Sequence, residues 1–347
     1  MKRLASVFFA AVVMLLGLKL PAHALSPQEA FDAVNRSPFH GASFRGSYPG
    51  GNIMASFWVW QDGEIVLYDY HRRYGFDRRQ QTWSGTKPFV SALTGIAIQL
   101  SYIESVHQYV IDFFPDAVIP PGQESKYDMT VLHLLNMTSG LPVAGNSGFF
   151  RPLFVRHDAG LASFMLPQRY APGERFRYCF VGASSQALVG VVERATGQNL
   201  YDFGRQHLFD PLGMDSIRWT RTQSGSPVGG TGLYISPRDF FTFGQLHLQD
   251  GVWEGRRILP VGWVNALMPG VEVDRDFNDR HRMYHVSDTD AGWRIRASGM
   301  GGIDLSILVE HNTMVMRLGR NMGYISIAQW LASERAVMRR RCWLYLI

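Results

Sequence analysis

The sequence predicts an α/β chain of the α+β type: an antiparallel sheet built from both chain ends, flanked by helices, with a helical subdomain inserted between. Three observations predict it. Strand-like alternation occupies residues 50–70, helical segments broken by Pro/Gly loops fill roughly 104–215, and strand patterns return from Trp293 onward.

Taken in order, the first 24 residues stand apart. Lys2 and Arg3 precede the apolar run Leu4–Leu18, and Ala22-His23-Ala24 supplies small residues for cleavage. This is the pattern of a secretory signal peptide, and the run is too short for a spanning helix. A domain over 25–320 is expected to follow, exported to the periplasm or secreted, with no transmembrane segment once the signal is removed. Ile53, Ala55, Phe57 and Val59 alternate, Gln61-Asp62-Gly63-Glu64 makes a turn, and Ile65–Tyr70 returns: a hairpin. Phe89–Leu100 is apolar all round, as a buried helix is. Met129–Met137, Ser184–Thr196 and Pro237–Gln249 read as helices. Trp293–Ile295, Leu305–Val309 and Thr313–Leu318 read as strands, the last two joined by Glu310-His311-Asn312. The tail 321–347 remains unassigned.

Composition narrows the function. Hydrophobic residues make up 46% and charged residues 18% of the 347, an ordinary globular balance. The formal +5 falls to about +2 once Lys2, Arg3 and Lys19 leave with the signal, and the one dense basic run is Arg339-Arg340-Arg341. No nucleic-acid footprint is present. Cys179 and Cys342 make no disulfide framework and are expected as free thiols.

The chemistry concentrates in "QTWSGTKPFVSALTGIAIQL", residues 81–100. Ser84 and Lys87 stand three apart at the mouth of the apolar helix, and at that spacing both side chains share one face. A serine there lies near backbone N–H groups and the positive end of the helix dipole, which suit an oxyanion. The chain has four lysines, Lys2, Lys19, Lys87 and Lys126, in a sequence otherwise served by arginine. An amine held in a deep cleft can act as a base, whereas a guanidinium keeps its proton. A structural alternative is that Ser84 or Thr86 merely caps the helix while Lys87 reaches solvent.

"TWSGTKPFVSALTGIAI" resembles the nucleophile helix of the β-lactamase-related serine hydrolases, which include penicillin-binding proteins, class C β-lactamases, EstB-type esterases and 6-aminohexanoate-dimer hydrolases. "MTVLHLLNMTSGLP" (129–142), "FDPLGMDSIRW" (209–219) and "GGTGLYISPRDFFTFGQLHLQDGVWEGRRILPVGWV" (229–264) are similar to later family segments, in order, over roughly 45–320. The resemblance implies a β-lactamase/transpeptidase-like fold and a nucleophilic Ser84 with Lys87 as its base. It also places Tyr178, in "PGERFRYCFVGASSQ", at the family's proton-relaying tyrosine. Gly299, Met300 and Gly301, in "ASGMGGIDL", match the strand edge that completes the oxyanion site with Ser84.

Two positions depart from the family pattern. Phe180 stands where an asparagine is usual, and Ala297-Ser298-Gly299 carries no cation where Lys-Thr-Gly or His-x-Gly is usual. Both weigh against β-lactams and D-alanyl peptides and toward a small-molecule ester or amide. The alternatives are a β-lactamase or D-alanyl-D-alanine peptidase, and a catalytically inactive binding or sensor protein on the same fold. No cofactor or metal is implied. His133, His207 and His247 are scattered, "GGTG" at 229–232 lacks the features of a phosphate loop, and no Gly-x-Ser-x-Gly elbow occurs.

Overall fold

Both ends of the described chain feed one sheet. The computed structural model describes residues 53–61, 63–70, 77–142, 158–174, 182–267, 283–289, 292–299, 303–309 and 312–320. The opening hairpin is β1 (Ile53–Gln61) and β2 (Glu64–Tyr70), antiparallel, with a register shift at Val59/Trp60. Short strands β3 (Gln80–Gln81), β4 (Arg218–Trp219) and β5 (Leu233–Ile235) form a small second sheet, and β6 (Val252–Trp253) pairs with β7 (Arg256–Arg257). The closing strands are β8 (His285–Thr289), β9 (Gly292–Gly299), β10 (Ile303–Leu308) and β11 (Thr313–Arg320). The main sheet runs β2-β1-β11-β10-β9-β8, so the first hairpin docks beside the last strand. The late strands are longer than the alternation alone predicts, and β8 carries no sequence signal that foretold it.

Between these strands lie α1 (Lys87–Gln99), α2 (Val131–Leu135), α3 (Ala159–Phe164), α4 (Ala183–Thr196), α5 (Leu200–Gly204) and α6 (Pro237–Leu248). No strand occurs among the described residues of 104–215. Two helix starts show a local cause plainly. Ser236 accepts from the Asp239 N–H, with Pro237 opening the first turn of α6. Thr130 and His133 cap α2 reciprocally, which gives His133 a structural task. No helix among the described residues is long and apolar enough to cross a membrane.

α1 sits in the middle of the core. Phe89 stacks on Phe243 of α6 with ring centroids 3.8 Å apart, and Val90, Leu93 and Ile96 are buried around it. Beneath its first turn runs a buried polar chain. His247 Nδ1 lies 2.7 Å from the Phe243 carbonyl and Nε2 lies 2.8 Å from the Tyr284 hydroxyl, whose oxygen is 3.1 Å from the Pro88 carbonyl. The Tyr284 hydroxyl donates its one proton to the Pro88 carbonyl, and the imidazole lies between the Phe243 carbonyl and the Tyr284 oxygen. Burial holds His247 down at about 4 and pushes the Tyr284 phenol well above its usual value.

Lys126 is the second amine kept by this arginine-rich chain, and it too is buried. Its Nζ donates to the carbonyls of Phe164 and Leu166, satisfying the end of α3, and desolvation lowers it to about 8. Retention of a lysine is therefore not in itself a catalytic signal.

Candidate active site

The chain reaches Ser84 through a strained corner. After β3 it passes Thr82 into a 3-10 turn, Trp83–Thr86, that runs without a break into α1. Trp83 takes φ 50°, a left-handed value that costs a bulky residue about 1–3 kcal/mol. Neither Thr82 nor Thr86 caps the turn or the helix with its side chain, so capping is not what these hydroxyls do. Lys87 keeps helical angles, φ −59° and ψ −41°, although a proline follows it. Pro88 falls in the first turn, where its missing N–H has no partner to lose.

Lys87 does not reach solvent; its exposure is 0%. Its Nζ lies 3.0 Å from Ser84 Oγ and donates to the Gly230 carbonyl at 3.3 Å. Ser84 itself is only partly buried. The carbonyl that anchors the amine is itself wedged. Gly182, the residue before α4, has φ 89°, and a β-carbon there would press to 2.8 Å from the Gly230 Cα.

Gly299, the last residue of β9, closes the third side. A β-carbon on it would collide with the Thr82 carbonyl and come 3.0 Å from the Ser84 nitrogen. Alternation along β9 puts Ala297 on the same face, where its methyl is 1% exposed within the core. On the opposite face Arg296 forms an ion pair with Asp304 across the strand pair. Arg296, the cation of β9 nearest Gly299, thus lies on the face away from the serine.

Of the predicted set, the structure brings Ser84, Lys87 and Gly299 together. Tyr178, Phe180, Met300 and Gly301 lie outside the described residues, as do both cysteines and the segments 1–24 and 321–347. Sequence reasoning missed Gly230 as the acceptor for Lys87; its signal was the Gly229-Gly230 pair opening the 229–264 segment. Among the described residues no three His, Cys, Asp or Glu side chains gather to hold a metal.

A helix that starts behind a serine, a buried lysine one turn on, and a sheet edge against the serine backbone define a β-lactamase/transpeptidase-like fold. A family model described as Beta-lactamase matches residues 46–318, and the chain belongs to that family. It is 25% identical over 233 residues to the 6-aminohexanoate-dimer hydrolase of Paenarthrobacter ureafaciens, covering 62% of this chain. The chain spans 57% of that relative's length. Among solved structures it is similar to a candidate 6-aminohexanoate-dimer hydrolase from Bacillus anthracis, at TM-score 0.66 and 18% identity over 83% of this chain and 79% of that one. It is also similar to a penicillin binding protein from Bacillus halodurans, at TM-score 0.62 and 17% identity over 82% and 97%. At such identities the structures speak for the fold, and the family is one of hydrolases.

Proposed function

We propose that this protein is a serine hydrolase that cleaves a small ester or linear amide through an acyl-enzyme on Ser84. One observation carries the reading: a fully buried amine 3.0 Å from the hydroxyl of a partly exposed serine, a separation across which a proton can pass. In the first step Ser84 Oγ bonds to the substrate carbonyl carbon while its proton moves to a neutral Lys87 amine. The carbonyl oxygen takes up the negative charge, facing the Ser84 N–H and the end of β9 at Gly299. The tetrahedral carbon then expels the alcohol or amine, which leaves with a proton relayed from Lys87 through Tyr178. Water adds to the acyl-enzyme by the same route in reverse, releasing the acid and restoring the serine. No cofactor enters this scheme.

Substrate class rests on what surrounds the serine. The methyl of Ala297 occupies the β9 position at which a family cation would meet a substrate carboxylate, and Phe180 replaces the usual amide. A relative named for the hydrolysis of a linear amide dimer supports the same direction. The apolar run behind Lys2-Arg3 supports action outside the cytoplasm.

The test is a fluorophosphonate probe on the purified protein, followed by p-nitrophenyl acetate, a linear aminoacyl amide and a chromogenic cephalosporin in parallel. Labelling that Ser84→Ala removes, with ester or amide turnover above cephalosporin turnover, is expected. No labelling would favour the inactive binding protein, and faster cephalosporin hydrolysis would favour a β-lactamase.

A further inference from the structure

Two threonines flank Ser84 at equal distance along the chain, and both are completely buried. Their hydroxyls are engaged with each other and with one residue of β5. Thr82 Oγ1 donates to the Leu233 carbonyl at 3.1 Å, and the Thr82 N–H donates to that same oxygen at 2.8 Å. The Leu233 N–H donates to Thr86 Oγ1 at 3.2 Å, and the two hydroxyl oxygens stand 3.0 Å apart. Proton count orders the ring. Thr82 has committed its one hydroxyl proton to Leu233, so the bond between the threonines is donated by Thr86. The circuit runs from Leu233 N–H to Thr86, to Thr82, and back to Leu233 C=O, with each hydroxyl donating once and accepting once.

This ring joins the two pieces of chain whose separation fixes the lysine. Ser84 sits between the threonines and Lys87 directly follows Thr86, while Gly230 lies three residues before Leu233. Strand pairing holds β5 at Gln80–Ile235 and Gln81–Tyr234, on the far side of Leu233 from Gly230. Toward Gly230 the ring carries the registration onward. We propose that Thr82 and Thr86 are positioning residues: their hydroxyl ring sets the Gly230 carbonyl against Lys87 and so aims the amine at Ser84 Oγ. The inference rests on the reading of Ser84 and Lys87 given above, and adds two residues to it that touch no substrate.

A methyl in place of either hydroxyl keeps the volume but opens the ring, leaving a buried N–H or C=O with one partner fewer. The amine then loses its aim, and a misplacement of about 1 Å can cost about 10²-fold in rate. The experiment measures kcat and KM on p-nitrophenyl acetate, with thermal melts, for Thr86→Val, Thr86→Ser, Thr82→Val and the double valine variant. Thr86→Val is expected to lower kcat roughly 10–100-fold with KM little changed, and Thr86→Ser to recover most of it. The double variant is expected to fall no further than the worse single, because one break opens the whole circuit. If Thr86→Val does not fold, Thr82→Val breaks the circuit at Thr82 and Thr86→Ala opens it at Thr86 with a smaller side chain, and they carry the comparison. A folded valine variant with wild-type kcat, or a serine variant as slow as the valine one, overturns the proposal. Ser84→Ala and Lys87→Arg run alongside: if they stay active, the reading of the site itself fails, and if they are inactive while the valine variants are not, only the ring fails.

Discussion

Gly299 closes on the backbone of Ser84 so tightly that a β-carbon would stand 3.0 Å from the serine nitrogen and collide with the Thr82 carbonyl. The last residue of β9 therefore has to be glycine if the strand edge is to share an oxyanion with the serine N–H. Gly299→Ala is expected to push the strand end away, lowering kcat/KM on a simple ester by about 10²-fold or more. Thermal melts should drop by only a few degrees, since the clash sits at the end of a strand. An alanine variant with unchanged kinetics would show that this edge takes no part in the chemistry.

Lys87→Arg separates a base from a charge. An arginine preserves the positive charge and cannot give up its proton near neutral pH. Activity is expected to fall by on the order of 10²–10⁴-fold, approaching Ser84→Ala, with Tyr178→Phe moving the same way. Steady-state kcat/KM on one ester for the three variants, with circular dichroism as the folding control, decides it. A folded arginine variant at near-wild-type rate would make Lys87 a structural charge.

His247 should govern part of the acid stability. Burial holds its folded-state value at about 4 against an ordinary 6.5, so on acidification the unfolded chain takes the proton first. Its contribution is whole above pH 6.5 and is lost as pH falls from 6.5 toward 4, about 3 kcal/mol over that interval. Urea melts from pH 7.5 to 4.5 should lose stability less steeply for His247→Gln than for the wild type, even if the variant starts lower. Parallel curves would remove His247 from the acid response.

Export predicts a defined mature end. If Ala22-His23-Ala24 is the cleavage site, intact mass of protein recovered from the medium or periplasm corresponds to a chain beginning at Leu25. A mass that retains residues 1–24 refutes it.

By itself the sequence determined the elements whose signal is local. The first hairpin follows from strand-like alternation and a glycine turn, although Trp58 and Trp60 rather than Val59 join the core; α1 follows from an uninterrupted apolar run, α6 from Ser236-Pro237, and Ser84 with Lys87 from their spacing. Tertiary structure decided what depends on two distant segments meeting. β3, β4 and β5 are two or three residues long and exist only because they pair with one another, so no periodicity could announce them. Gly230 became the partner of Lys87, and Leu233 the partner of Thr82 and Thr86, through hydrogen bonds between segments more than a hundred residues apart. Two lysines that look alike in the sequence are both fully buried, and their partners alone make the difference. Lys126 ends on the carbonyls of Phe164 and Leu166, while Lys87 ends on the hydroxyl of a partly exposed serine and on the Gly230 carbonyl. A side chain's type is written in the sequence; which groups replace its water is settled only when the chain closes around it.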